Sequence, residues 1–415
     1  MPEIRVPGVL TLGGLVAGLL LGVAAADSPA MESLLGLAGP VGDLWLKALK
    51  MTILPLVAGL LFTGIVQTAA AAQAGAMARR TIGFIAGVLA LSALVGATLM
   101  PLLLSLSPPP AGVAAPASEI AARVPGFGDF LLSLLPSNVV TAAVNDALLP
   151  VIIFVALLAM ASLRLDEAPR RQLALLFEAL AAAMMIVIGW VLKAAPLGVF
   201  ALGVGLAARS GTAAVGALAH YIVLVSMCGA VLLILAYALA VLVGRRRLGA
   251  FAMAVLPAQA VAVSTQSSLA SLPAMLASCR KLGIASTTAE FVLPLAVTIF
   301  RATSPAMNMG VVVYAAHLSG VGLHPGAIAA GAFVAFVTTF GSVSLPGTVS
   351  FIASTAPIAA AMGVPLWPLG VLVAVEMLPD IMRTVGNVTM DVAMTASVEG
   401  SRNNARVLAG EEIPS

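Results

Sequence analysis

Long apolar runs, separated by short polar stretches, recur along the whole chain. A helix that crosses a bilayer needs about 20 consecutive apolar residues, and several of these runs reach that length. Together with the helix breakers between them, the runs predict helices near 6–26, 41–72, 80–106, 128–161, 172–207, 213–244 and 365–399. The pattern therefore predicts one all-α membrane domain.

Two later apolar segments are each interrupted in the middle by polar residues. Segments 250–285 and 325–362 carry such runs at 264–268 and 341–347. Paired, interrupted apolar segments indicate a transporter's binding site, because broken helices offer unpaired backbone groups at membrane depth. We predict two re-entrant helical hairpins, on either side of a helix that breaks near Arg301. Kinked helices packed through Ser and Gly remain the alternative.

Composition and charge support a membrane protein and argue against a nucleic-acid partner. Of 415 residues, 61% are hydrophobic and 9% are charged, against roughly 25% charged in a soluble domain. The net charge of +3 comes from short Lys/Arg clusters between apolar runs, without interleaved aromatic residues. The clusters alternate with loops poor in Lys and Arg, which predicts a multi-pass plasma (inner) membrane protein with both termini cytoplasmic.

The last predicted helix contains ionisable residues, which within a membrane need either a counter-ion or a functional role. A charge inside the hydrocarbon costs about 2.5–3.5 kcal/mol even on the lenient insertion scale. An arginine can grip a carboxylate, and an aspartate three positions earlier can hold an ammonium, so an acidic amino acid matches both. An Asp380–Arg383 ion pair without a ligand is the alternative. The charged residues inside the apolar run are Glu376, Asp380, Arg383 and Asp391, with Thr384 and Asn387 between them.

The stretch 380–391, Asp-Ile-Met-Arg-Thr-Val-Gly-Asn-Val-Thr-Met-Asp, resembles the eighth-helix motif of the glutamate transporter homologues, the dicarboxylate/amino acid:cation symporter family. The resemblance covers nearly the whole chain. Stretches that agree with it are 46–51 with Pro55, 195–202, 267–273, 293–295 and 345–347.

This resemblance implies eight transmembrane helices, two re-entrant hairpins and a homotrimer that works as an elevator-type transporter. A mobile transport domain would move against a fixed scaffold in each protomer. The implied division is scaffold at 1–79 (helices 1–2) and 107–207 (helices 4–5), transport domain at 80–106 (helix 3) and 208–400, and a cytoplasmic tail at 401–415.

The resemblance also implies a substrate site. Arg383 would bind the side-chain carboxylate of the substrate and Asp380 its amino group. Dicarboxylate carriers of the family differ at the position of Asp380, so we expect an acidic amino acid such as aspartate or glutamate. The remaining expected contacts are Thr384 and Asn387 for the main-chain end, with the hairpin tips at Ser267, Ser268, Ser344, Pro346 and Gly347.

The chain departs from the family where sodium is expected to bind. The family's seventh helix breaks at Asn-Met-Asp-Gly-Thr, and a gapless alignment places Phe-Arg-Ala-Thr-Ser, residues 300–304, on those positions. Sodium, like other hard cations, needs oxygen ligands, which Phe300 and Ala302 lack. A second departure is Gln266, where many relatives have Arg, and a third is Leu269 in place of a serine.

Our hypothesis is that Arg301 is a tethered cation that neutralises Asp391 or a nearby carboxylate in place of sodium. A cap on the carbonyls of the broken helix is the alternative role for Arg301. Transport would then be sodium-independent, coupled to protons through Asp391, Asp380 or Glu376, or not coupled. The candidate cation-site or coupling residues are Asp391, Asn387, Arg301, Thr303 and Ser304.

Three rival functions remain from the sequence. The first is a sodium- or proton-coupled C4-dicarboxylate symporter. The second is a passive anion channel, which differs from a coupled carrier because it does not accumulate substrate against its gradient. A membrane-embedded enzyme would need a base near its serines or metal-ligand spacing among its histidines, and the sequence offers neither. We therefore expect no enzymatic activity, no cofactor and no resident metal.

Overall fold

The computed structural model describes residues 8–24, 28, 30–73, 75–110, 135, 137–145, 147–211, 213–340 and 347–408. Within this part the chain forms sixteen helices and no strand. The first eight are α1 (Gly8–Ala24), α2 (Ala30–Gln73), α3 (Ala76–Leu106), α4 (Val139–Val144), α5 (Leu148–Ser162), α6 (Glu167–Lys193), α7 (Ala195–Ser210) and α8 (Ala213–Leu242). The others are α9 (Leu248–Thr265), α10 (Leu272–Lys281), α11 (Ser286–Ile299), α12 (Ser304–Leu318), α13 (Pro325–Phe340), α14 (Gly347–Ala361), α15 (Trp367–Leu372) and α16 (Met377–Leu408).

Five of the described helices, namely α2, α3, α6, α8 and α9, are long and apolar enough to cross a membrane. Five shorter apolar helices accompany them. The prediction of an all-α membrane protein is therefore confirmed at this level.

Four predicted helix boundaries were wrong. The run 128–161 is interrupted in its described part, where α4 ends at Val144 and α5 begins at Leu148. The second helix begins at Ala30 rather than near 41. The apolar run 172–207 is two helices, because the chain turns at Ala194 between α6 and α7. The last helix begins at Met377 rather than near 365, and it continues into the predicted tail as far as Leu408.

Glycine allows α1 to pack directly on the backbone of α7. A Cβ atom at Gly22 would lie 2.7 Å from the carbonyl oxygen of Val204 and from the Cβ of Ala207. One and two turns earlier, Gly18 and Gly14 face the carbonyls of Phe200 and Pro196 in the same way. Small residues at such spacing let membrane helices approach closely.

The first interrupted segment folds as two helices, α9 and α10, which pack against each other and are joined by residues 266–271. The second forms α13 and α14, which also pack together. Its tip, 341–346, lies outside the described residues. The predicted break in the helix between these segments is present at 300–303, between α11 and α12.

The broken helix lies where two apolar cores meet. Ala306 belongs to a core built from α3, α8–α11 and the later part of α16. Met307 belongs to a second core, which includes residues of α1, α2 and α5–α7. The hydroxyl oxygen of Ser92 on α3 accepts a hydrogen bond from the Ala306 N–H at 3.1 Å. The first turn of α12 is thereby fixed against α3.

Candidate functional site

A buried cluster of polar residues lies between the start of α16 and the first turns of α12. Arg383 is its centre, and only 6% of this residue is exposed. Its Nη1 donates to Oδ1 of Asn308 at 2.7 Å, its Nη2 donates to Oε1 of Glu376, and its Nε lies 3.2 Å from Oδ1 of Asp380. The guanidinium is thus bound by two carboxylates and an amide, and we call these four residues the Arg383 cluster.

Glu376 lies in the turn before α16, not within that helix as predicted. It is 1% exposed, and Oη of Tyr221 on α8 donates a hydrogen bond to its Oε2 at 2.9 Å. Both carboxylate oxygens therefore have partners, one charged and one neutral. The ring of Tyr221 packs edge-on against that of Tyr314 from α12.

The break at 300–303 is attached to α16 by Asn387. Oδ1 of Asn387 accepts a hydrogen bond from the Thr303 N–H at 2.9 Å and lies 2.9 Å from the Thr303 hydroxyl. That hydroxyl is also 3.1 Å from the carbonyl oxygen of Arg383. The approach requires glycine at 386, because a Cβ there would lie 2.5 Å from Cγ2 of Thr303.

Arg301 lies in the break, where it interacts electrostatically with both Asp380 and Asp391. Asp391 is fully buried, and neither of its carboxylate oxygens has a hydrogen-bond partner in the described structure. Arg301 is the charged group that acts on this carboxylate. A buried carboxylate without hydrogen bonds depends on such a charge for its stability.

The tip of the α9–α10 pair reaches the start of α16. Nε2 of Gln266, which has a left-handed backbone conformation (φ 49°), lies 3.5 Å from the carbonyl oxygen of Met377. Ser267 and Ser268 follow directly at this tip. Of the residues predicted at the other tip, Ser344 and Pro346 lie outside the described residues, and Gly347 is the first residue of α14.

The structure thus brings Asp380, Arg383 and Asn387 of α16 together with the break before α12, and Gln266 is the residue of the first hairpin tip that reaches α16. Ser304 begins α12 beside them, and the hydroxyl of Thr384 donates to the carbonyl oxygen of Asp380 within α16 at 2.9 Å. Asn308 and Tyr221 were not among the residues predicted for the site. Asn308 is the polar residue of the otherwise apolar run 305–313, and that isolation was the available signal.

The chain is similar to known transport proteins along nearly its whole length. The model of the sodium:dicarboxylate symporter family matches residues 8–401. A proton/sodium-glutamate symport protein of Bacillus subtilis is 27% identical over 95% of this chain and 92% of its own length. A proton/glutamate-aspartate symporter of Escherichia coli is 27% identical over 90% of this chain and 88% of its own. A C4-dicarboxylate transport protein of Pseudomonas aeruginosa is 25% identical over 94% and 87%.

Proposed function

The chain belongs to the sodium:dicarboxylate symporter family, and on that premise we propose that it carries an acidic amino acid, aspartate or glutamate, without sodium. Members of this family are transporters of the multi-pass membrane class, and the named relatives carry glutamate, aspartate or C4-dicarboxylates. The neighbouring opposite charges of Asp380 and Arg383 in one buried cluster carry the proposal.

An amino acid with an acidic side chain carries two carboxylates and one ammonium. Arg383 offers a planar, bidentate partner for a carboxylate, and Asp380 offers an anion for the ammonium. The two side chains are 3.2 Å apart, so one small ligand can reach both. Asn387 and Thr384, on the next turn of α16, are the proposed partners of the main-chain end, with the hairpin-tip serines opposite.

Sodium independence rests on Arg301 and Asp391. The positions aligned with the family's sodium motif include Phe300 and Ala302, which supply no side-chain oxygen. Arg301 lies between them in the sequence. A tethered cation beside the fully buried Asp391 performs the charge neutralisation that a bound sodium ion would otherwise provide. Asn387, Thr303 and Ser304 complete this proposed site.

The proposed architecture has eight transmembrane helices and two re-entrant hairpins, formed by α9–α10 and α13–α14. In each protomer of a homotrimer, a transport domain made of helix 3 and residues 208–400 moves against a scaffold made of 1–79 and 107–207. The paired helices at 248–281 and 325–361 support the hairpins. The positions of the Lys/Arg clusters support cytoplasmic termini.

A C4-dicarboxylate is the second candidate substrate. The Pseudomonas aeruginosa relative, which is named a C4-dicarboxylate transport protein, is consistent with this alternative.

The decisive experiment is uptake of radiolabelled aspartate by liposomes that contain the purified protein. Sodium or choline salts are supplied outside, and succinate is the competing dicarboxylate. We expect equal aspartate uptake in both salts. Asp380→Asn should reduce it about 10- to 100-fold, the equivalent of one charge-assisted hydrogen bond. Asp166→Asn, at an exposed carboxylate beyond the cluster, is the matched control and should behave as wild type.

Each other outcome has a definite meaning. Uptake that requires sodium contradicts the role assigned to Arg301. Succinate uptake without aspartate uptake, unaffected by Asp380→Asn, establishes the dicarboxylate carrier instead. Equilibration that never exceeds the external concentration, under any ion gradient, excludes coupled transport; an uptake rate that saturates with aspartate then indicates an uncoupled carrier, and a rate that does not saturate indicates a passive channel.

A further inference from the structure

Five basic residues lie together where α8 ends, α9 begins and α10 ends. Three form the connection between α8 and α9, and two belong to the last turn of α10. The two groups are joined, because Nη1 of Arg246 donates a hydrogen bond to the carbonyl oxygen of Leu282 at 2.7 Å. We call the five residues the basic cluster, and its members are Arg245, Arg246, Arg247, Arg280 and Lys281.

The basic cluster has no carboxylate partner. None of its five cations forms an ion pair within the described residues, in contrast to the buried Arg383. Arg246 is partly exposed and the other four are exposed, and the enclosed Nε of Arg246 has no hydrogen-bond partner. A guanidinium has five N–H donors, so most of those of Arg246 are unused. The cluster therefore presents positive charge that the described part of the chain does not pair.

The acidic residues at this end of the fold do not neutralise that charge. Glu399 of α16 is 6% exposed and accepts a hydrogen bond from the hydroxyl of Thr288 at the start of α11. Glu290, on the second turn of α11, is exposed. Five positive charges thus stand against two negative ones, and one of these two is buried.

The backbone at Arg245 gives no reason for a charged side chain. Its φ is 53°, in the left-handed region, and the N–H of Arg246 donates to the carbonyl oxygen of Ala240 at 3.0 Å across this turn. Glycine is the usual residue in such a conformation after a helix end, because it has no Cβ to clash. An arginine is present at a position where the fold alone favours glycine, which indicates a role for its side chain.

An exposed apolar surface lies directly beside the cluster. The connection joins α8 and α9, which are both apolar enough to cross a membrane, so the arginines lie at a membrane surface. Leu242, the last residue of α8, is 76% exposed, and Leu248, the first residue of α9, is 58% exposed. Met253 and Leu256 extend this surface along α9. A positive cluster above an apolar surface matches a molecule with an anionic headgroup and hydrocarbon chains.

We propose that the basic cluster binds the headgroup of an anionic phospholipid, whose acyl chains lie along the exposed apolar residues of α8 and α9. The phosphate oxygens accept charge-assisted hydrogen bonds from the arginines. Groups of four or more Lys and Arg residues beside a membrane-spanning helix attract anionic lipids in this way. The site goes beyond the proposed function, because it depends neither on the transported substrate nor on the coupling ion.

The test is thermal unfolding of the purified full-length protein in detergent micelles, to which lipid is added stepwise. A ligand that binds the folded protein raises its unfolding temperature. Wild type should be stabilised by phosphatidylglycerol at much lower concentrations than by phosphatidylcholine, and high salt should weaken the effect because it screens the exposed charges. Glycerol 3-phosphate, which has the phosphate but no acyl chains, should have no effect at the same concentrations.

The main variant is Arg245→Gly combined with Arg247→Gln and Arg280→Gln. It removes three exposed charges and keeps Arg246, which binds the carbonyl oxygen of Leu282 at the end of α10. Each arginine near an anionic surface should contribute about fivefold to lipid affinity, so this variant should need about 100-fold more phosphatidylglycerol for half-maximal stabilisation.

The matched control is Arg164→Gln combined with Arg170→Gln and Arg171→Gln. It removes the same number of charges from another basic group, which lies around the start of α6 next to Asp166 and Glu167. Since these carboxylates already balance part of the charge there, the control should respond to phosphatidylglycerol as wild type does.

Arg245→Gly alone separates lipid binding from folding. Without lipid it should unfold at or above the temperature of wild type, because glycine adopts a φ of 53° without strain. It should nevertheless need about fivefold more phosphatidylglycerol. If the triple variant is destabilised before lipid is added, this single variant decides, and an unchanged lipid response refutes the proposal.

Three other results would overturn the lipid site. The first is equal stabilisation of wild type by the two phospholipids. The second is a control variant that loses the response as fully as the main variant, which would show a general effect of net charge. The third is stabilisation by glycerol 3-phosphate that equals that by phosphatidylglycerol, which would identify a site for a soluble anion.

Discussion

Replacement of Arg301 by methionine tests the tethered-cation hypothesis without a transport assay. Methionine is the residue of the family motif at this position, and it keeps much of the side-chain length while removing the charge. Asp391 would then be a fully buried carboxylate with neither a hydrogen-bond partner in the described structure nor the charge that now acts on it. Loss of one partner from a buried ion pair in direct contact costs about 3–5 kcal/mol, which is an upper bound here because Asp391 accepts no hydrogen bond from Arg301.

The measurement is thermal or chemical unfolding of the purified protein in detergent. We expect Arg301→Met to unfold well below wild type, and Arg301→Met combined with Asp391→Asn to recover most of the loss. The interaction between the two changes should reach about 2–3 kcal/mol in a double-mutant cycle. Sodium chloride, compared with choline chloride, should stabilise the single variant more than wild type, since only the variant leaves the carboxylate for an ion.

Two results would refute the reasoning. The first is an Arg301→Met protein as stable as wild type, which would mean that Asp391 does not depend on this guanidinium. The second is additivity of the two changes, which would show that Arg301 acts on another partner, such as the carbonyls of the broken helix. Wild-type protein that gains stability from sodium would separately contradict sodium independence.

Two further changes test the packing that holds the break. Gly96→Ala should destabilise the protein by about 1–3 kcal/mol in the same unfolding assay, because its Cβ would lie 2.6 Å from the carbonyl oxygen of Ala306. Gly87→Ala on the same helix meets nothing within 4 Å and should be neutral or stabilising by about 0.5–1 kcal/mol. Asn387→Ala should cost about 1–3 kcal/mol, because the Thr303 N–H loses its acceptor. Faster hydrogen exchange in the peptide containing Thr303 would report this loss, and unchanged exchange would contradict it.

The boundaries that the sequence predicted well are those with strong local signals. Pro305 and Arg301 interrupt an otherwise apolar run, and the predicted break lies at 300–303. The turn at Ala194 was missed because apolar residues continue on both sides of it. Lys193 in the last turn of α6 and Pro196 in the first turn of α7 were the available signals, as these residues favour a helix end and a helix start.

Tertiary packing explains the early start of α2. Gly36, Gly39 and Pro40 read locally as a loop. In the structure this stretch is helical, and Ala38 packs into a small apolar core with Val204 of α7. Contacts with a distant helix therefore outweigh local propensity, which no window of sequence can reveal.

The Arg383 cluster shows the same limit at the level of single residues. The spacing of Asp380 and Arg383 predicted their proximity, since both lie on one helix. Asn308 and Tyr221 come from two other helices, and only the packing of α8 and α12 against α16 brings them to the guanidinium and to Glu376. Their roles depend on long-range contacts and not on spacing.

Arg301 is part of the polypeptide and cannot dissociate as an ion does, which has an energetic consequence for the transport cycle that we propose. A sodium ion dissociates inside the cell and contributes the energy of its own gradient, whereas a covalently attached cation returns with the empty carrier and contributes none. If one proton accompanied each singly charged anion, such a cycle would be electroneutral. The transmembrane voltage would then neither drive nor oppose uptake, and each unit of pH difference across the membrane would support about a tenfold accumulation of substrate.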